Sequence, residues 1–179
     1  MENLAEQAQK LGIQIYQPCH EHDAVLLRWW AYLNETEEFD RVFTKQLFPL
    51  SKFLDNFQPP RITAFNANDD GIWLCVWIVP FADTDSGAFL NYWCRESKRG
   101  TIEHYKSAKF IYDMATKIWP VLIGTTKHED LLKIHRKLGY NIVGKVPHMI
   151  DGEDAWILYL TRELFEQSRF YKIGESHGR

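Results

Sequence analysis

The chain is poor in cysteine, carries no surplus of positive charge and lacks an apolar run long enough to cross a membrane. Its three cysteines, Cys19, Cys75 and Cys94, form neither a CxxC pair nor a Cys/His cluster with metal-ligand spacing. They are expected to be free thiols of a reducing compartment. A net charge of −3 gives no electrostatic case for nucleic acid, whose phosphates need a basic surface. The longest uninterrupted apolar stretch, Ile72 to Val79, falls far short of the roughly 20 residues of a spanning helix. The opening residues mix apolar side chains with Glu2, Glu6, Gln7 and Lys10, unlike a secretory leader. The expectation is a soluble protein, cytoplasmic or acting inside a host cell, with no metal, no membrane and no nucleic-acid partner.

What the chain does have is core-forming material. Its 179 residues fit one domain, and 45% are apolar. Aromatics make up 15%, including seven tryptophans. Most of those indoles are expected in the core, each needing an acceptor for its N–H. Any left outside would serve a ligand, a partner or a homo-oligomer interface.

Periodicity and turn signals divide the chain. Residues 2–11 read as a short helix ended by Gly12, and Ile13 to Tyr16 as a strand stopped by Pro18. Asp23 is a plausible N-cap for a helix carrying Leu26, Trp30 and Leu33 on one face. A second helix is expected from about Thr36, with Phe39, Val42, Phe43 and Leu47 inward, broken or kinked at Pro49. Helical spacing returns at Leu50, Phe53, Leu54 and Phe57. Asp70-Gly71 and Asp151-Gly152 mark hairpins, because Asp-Gly suits the positive φ of tight turns. The strands around them are residues 61–66, 72–79, 142–146 and 156–160, with another at 88–94 after the polar run Asp83 to Gly87. Ile102, Tyr105, Ala108, Tyr112, Ala115 and Trp119 form the stripe of one long helix, ended by Pro120. A short strand, 121–124, follows. Thr126-Lys127-His128-Glu129 then reads as a capping box before a helix bearing Leu131, Ile134 and Leu138 and ending at Gly139. The sum is an α/β domain: a mixed, mostly antiparallel sheet with helices on both faces.

This order resembles the GCN5-related N-acetyltransferase (GNAT) fold, element for element, over roughly residues 13–160. The most specific stretch is Thr126 to Val146, TKHEDLLKIHRKLGYNIVGKV, which is similar to the family's fourth helix and sixth strand. The resemblance implies one acetyltransferase-like domain at 1–160, and residues 161–179 beyond it read as a short helix and a polar tail. It also implies acetyl-coenzyme A as co-substrate, bound in a splay between the fourth and fifth strands. The pantetheine arm would pair with the main chain of the strand carrying Tyr92 and Cys94. The diphosphate would sit on the loop before the long helix, where unpaired amides and a positive helix end form a cradle. That loop is Arg95-Glu96-Ser97-Lys98-Arg99-Gly100-Thr101. Arg95 and Gly100 fit the ends of the family pattern, Lys98 replaces its first glycine, and Lys98 and Arg99 offer charge instead.

By the same resemblance, His135 occupies the position of the family's usual general acid, a tyrosine, and has a pKa suited to proton transfer. A structural, hydrogen-bonded histidine is the competing reading. His128 sits in the slot of a frequent asparagine and reads more simply as a helix-start residue. For the general base, Glu96 and His104 lie near the loop and Asp83 and Asp85 in the loop between strands, with no spacing that singles one out. Cys94 reads as a small apolar strand residue rather than a nucleophile. Two functions follow. One is direct acetyl transfer to a primary amine on a small molecule or a protein. The other is a catalytically silent, binding member: Val121 to Gly139 also resembles acetyltransferase-like proteins associated with phage virions, which implies a virion partner.

Overall fold

The computed structural model describes residues 3–82 and 86–176. Asp83 and Asp85, two of the candidate bases, lie outside them, as do the last three residues of the expected tail. Helix α1 (Leu4–Lys10) leads to strand β1 (Ile13–Ile15), helices α2 (His20–Glu35), α3 (Phe39–Val42) and α4 (Leu50–Asp55), and strands β2 (Ile62–Asn68), β3 (Gly71–Pro80) and β4 (Gly87–Cys94). Helix α5 (Ile102–Ile118), strand β5 (Val121–Thr126), helix α6 (Leu132–Leu138), strands β6 (Asn141–Ile150) and β7 (Glu153–Leu160), and helices α7 (Arg162–Gln167) and α8 (Arg169–Ser176) complete it.

The strands form one sheet in the order β1-β2-β3-β4-β5-β7-β6. Among the described residues only β4 and β5 run parallel, because α5 carries the chain back across one face between them. The Asp-Gly pairs are hairpin turns: Gly71 has φ +98°, and Asp151 and Gly152 have φ +52° and +79°. Strand β3 is the spine. Its Leu74, Val76 and Ile78 face α5, while Cys75 and Trp77 face α2 and α4.

On the α2 side the core is built from rings. Trp29, fully buried, is surrounded by Phe43, Phe53, Phe57, Trp77 and Trp93 at centroid separations of 5.2–6.1 Å. This packing explains two departures from local expectation. Residues 36–48 do not make a continuous helix; they break at Phe43, whose extended backbone swings its ring onto Trp77 at 5.0 Å. Asp23 does not cap α2. The helix starts at His20, and the Asp23 carboxylate accepts the Tyr16 hydroxyl at 2.6 Å instead.

On the α5 side the chain end completes the core. The expected short helix and polar tail are two helices, with Phe165 and Phe170 fully buried and α8 packed on α5. Gly139, with φ +98°, ends α6, and a Cβ there would lie 2.6 Å from the Leu164 carbonyl oxygen. The capping box at Thr126 does not form: its hydroxyl accepts the His128 N–H at 3.1 Å in the turn, and α6 begins only at Leu132. Among the described residues, no helix is long and apolar enough to cross a membrane.

Candidate functional site

Strands β4 and β5 are hydrogen-bonded neighbours only at Gly87–Phe89 against Val121–Ile123. Gly87 permits that approach, since a Cβ would meet the Val121 carbonyl oxygen and the Phe81 ring at 2.7 Å. Beyond Phe89 the two strands part. The register of β4 on β3 then decides which groups face the gap. Arg95 donates its N–H to the Trp73 carbonyl at 2.8 Å, so Trp93 and Asn91, in phase with it, bond to β3. The main-chain groups of Tyr92 and Cys94 point the other way, along an edge with no strand beside it.

A cavity of about 280 Å³ opens at this edge. It passes between the layers, with Tyr92, Trp93 and Cys94 along β4, Glu38 to Val42 on one side and Asp130 to Lys137 on the other. Of the residues selected from sequence, Tyr92, Cys94, Arg99 and His135 meet here. Glu96 stays exposed on the turn after β4. Arg95 places its guanidinium 4.3 Å from the Tyr32 ring centroid and donates to the Asp70 carbonyl. Lys98 pairs with Glu103 at 3.0 Å and lies in a separate groove with Trp73 and Asn66.

The loop before α5 largely satisfies itself. The amides of Lys98, Arg99 and Thr101 bond back to the carbonyls of Arg95, Glu96 and Lys98. Thr101 caps α5 by accepting the His104 N–H at 3.2 Å. Gly100 donates its N–H to Nδ1 of His104 at 3.1 Å. Arg99 donates from Nε to the Cys94 carbonyl at 2.8 Å, and its far end lies 3.8 Å from the Glu38 carboxylate. Gly100 and Thr101 therefore already spend their amides within the chain, and Arg99 covers one carbonyl of the open β4 edge.

Proton positions follow from these bonds. Nδ1 of His104 accepts, so the neutral ring carries its proton on Nε2, which is bonded to the Tyr92 hydroxyl. Burial, aided by the positive charge of Arg99, lowers the His104 pKa to about 4 and keeps it neutral. Tyr92 accepts that proton and keeps its own, its pKa raised by burial. His135 is arranged the opposite way. A carbonyl only accepts, so Nδ1 of His135 donates to Leu131 O at 2.8 Å, and the neutral ring leaves Nε2 bare. Burial also lowers the pKa of His135. In this tautomer His135 takes a proton rather than gives one. Burial pushes the Cys94 thiol up to about 12, which leaves it un-ionised at neutral pH.

Glu38, Arg41 and His104 are the residues that local reading undervalued. Glu38 accepts the Trp93 indole N–H at 3.0 Å, and Arg41 pairs with Asp130 across the cavity. Partners 55 and 89 positions apart leave no local signal. Only the need of a buried indole for an acceptor hinted at the first. Among the described residues, no group of His, Cys, Asp and Glu side chains is arranged to hold a metal ion.

By sequence, no protein-family model and no curated protein matches the chain. By structure the matches are extensive. Mycobacterium smegmatis RimJ in complex with CoA-disulfide has a TM-score of 0.66 at 12% identity, covering 92% of this chain and 88% of that one. An aminoglycoside 6'-N-acetyltransferase complexed with coenzyme A gives 0.61 at 14%, covering 83% and 96%. A GNAT-superfamily phosphinothricin acetyltransferase from Sinorhizobium meliloti in complex with AcCoA gives 0.61 at 11%, covering 83% and 88%. At such identities the likeness establishes the fold: this chain has the architecture of the GCN5-related N-acetyltransferases.

Proposed function

We propose that the chain is a cytoplasmic, acetyl-coenzyme A-dependent acetyltransferase that acts on a primary amine by direct transfer. The observation that carries this reading is the unpaired β4 edge at Tyr92 and Cys94, which opens on the cavity that also holds His135. Such an edge accepts an extended, amide-bearing arm as it would accept another strand. Arg99 must first release the Cys94 carbonyl, and its guanidinium is then free to meet phosphate charge. Bound acetyl-coenzyme A supplies the thioester carbonyl that the amine attacks. His135, with Nε2 bare, accepts the proton the amine loses as its bond to carbon forms. The Tyr92 hydroxyl, oriented by His104, donates its proton to sulfur as the carbon–sulfur bond breaks. The roles expected from the resemblance are thereby reassigned, with His135 as base and Tyr92 as acid. Isothermal titration with coenzyme A, followed by an acetyl-transfer assay on a panel of amines, tests the reading. Absence of binding at millimolar ligand overturns it.

A second reading has its own observation. The Gly100 amide, which a diphosphate would need, is occupied by His104. In that case the fold serves as a binding domain without catalysis, in a virion or another assembly. Co-purification of the chain with such an assembly, together with failure to bind coenzyme A, favours this reading.

A further inference from the structure

The cavity beside β4 is lined by four cations, Arg41, Arg99, Lys133 and Lys137, against two carboxylates, Glu38 and Asp130. Both carboxylates are engaged. Arg41 is paired with Asp130. Glu38 accepts the Trp93 N–H at 3.0 Å and faces Arg99 at 3.8 Å. Lys133 and Lys137 stand one turn apart on α6 and have no hydrogen-bond or ion-pair partner among the described residues. Two like charges at this spacing repel on a bare helix, a small cost that an anion between them removes.

We propose that the acceptor is a small amine that also carries a carboxylate or a phosphate. Its acid group is held by Lys133 and Lys137, and its amine lies toward Glu38 and His135. The inference rests on the acetyl-transfer reading and narrows its substrate class. The cavity's 280 Å³ equals on the order of nine water volumes, enough for the end of the cofactor's arm along β4 and an acceptor no larger than a small amino acid. The two lysines line the same small space as Tyr92, Trp93 and Arg99, whereas Lys98, Gly100 and Thr101 of the loop before α5 lie outside it. Arg99 is tied to the Cys94 carbonyl and no other residue of that loop lines the cavity, which favours an acid group on the acceptor over the phosphates of the cofactor. Glu38 gives the opposite end of the molecule a carboxylate partner whose side chain is 19% exposed.

The test compares matched amines with and without an acid group, β-alanine against propylamine and phosphoethanolamine against ethylamine. Wild type is set beside a Lys133→Ala/Lys137→Ala double variant; both positions are exposed, so the fold is retained. Binding is read by tryptophan fluorescence without cofactor, transfer by kcat/KM with acetyl-coenzyme A, and cofactor affinity separately with coenzyme A and pantetheine. The expected result is about a tenfold preference for the acid-bearing amine, lost in the double variant, with coenzyme A affinity unchanged. Equal binding of both members of each pair overturns the proposal. So does a loss of coenzyme A affinity, without loss of pantetheine affinity, in the double variant, since the lysines then serve the cofactor's phosphates. Lysine-dependent binding of the acid-bearing amines in a protein that binds no coenzyme A keeps the anion site and overturns the acetyl-transfer reading alone.

Discussion

Gly100 gives its amide hydrogen to Nδ1 of His104, so the residue best suited by its lack of a side chain to approach a phosphate is already engaged by the helix it precedes. His104→Leu removes the acceptor while keeping an apolar volume in a site that is 1% exposed. The freed amide is expected to strengthen binding of coenzyme A about tenfold relative to pantetheine, which lacks the diphosphate. Calorimetry on both ligands reads the difference; an equal change for the two means that this amide does not limit phosphate binding.

The same histidine makes stability depend on pH. Its folded pKa of about 4 lies below the ordinary value of 6.5, so below pH 6.5 the unfolded chain takes up a proton that the folded chain refuses. The effect is absent above pH 6.5, grows as pH falls toward 4 and levels off below. At pH 5 it amounts to about 2 kcal/mol of lost stability. Urea unfolding at pH 7.5 and pH 5 should show a drop smaller by about this amount in His104→Leu than in wild type, the remainder including His135, whose pKa burial also lowers.

Two substitutions separate the proton roles. Tyr92→Phe removes the donor to sulfur, and His135→Gln removes the acceptor from the amine. Each is expected to lower kcat by about a hundredfold and leave coenzyme A affinity within about twofold of wild type. Rising pH should rescue His135→Gln in part, because the amine then arrives neutral, and should not rescue Tyr92→Phe. Full activity in Tyr92→Phe would remove the phenol from the mechanism.

The chain end is structural. Gly139→Ala must hold φ near +98° and press a methyl group to 2.6 Å from the Leu164 carbonyl oxygen. The expected cost is about 2–4 kcal/mol, read as a lowered Tm. Phe170→Ala, at a fully buried site, is expected to cost about 3–5 kcal/mol. A variant as stable as wild type in either case would mean that α7 and α8 do not close this core.

The order of elements was legible because its signals are local. Asp70-Gly71, Asp151-Gly152, the stripe along α5 and Gly139 each act within a few residues. Where a distant partner outcompeted a neighbour, local reading failed. Asp23 could cap a helix but took the Tyr16 hydroxyl. Phe43 could continue a helix but left it for Trp77. Phe170 sits in a polar segment, and its ring is buried against His104 and Tyr105 of the distant α5. The candidate site divides in the same way. Tyr92, Cys94, Arg99 and His135 come together, whereas Glu38 and Arg41 join them only through folding. The tautomers of His104 and His135 depend on single bonds that sequence does not display.

The short seam between β4 and β5 has a mechanical consequence. Past Phe89 the sheet is two leaves, β1 to β4 and β5 to β7, sharing a spine three residue pairs long. Past those three pairs the leaves are bridged by helices and buried side chains, and β4 and β5 share no further ladder bonds. An extended molecule laid in the gap would join the leaves into a single plate, stiffening the sheet beyond the few residues it touches.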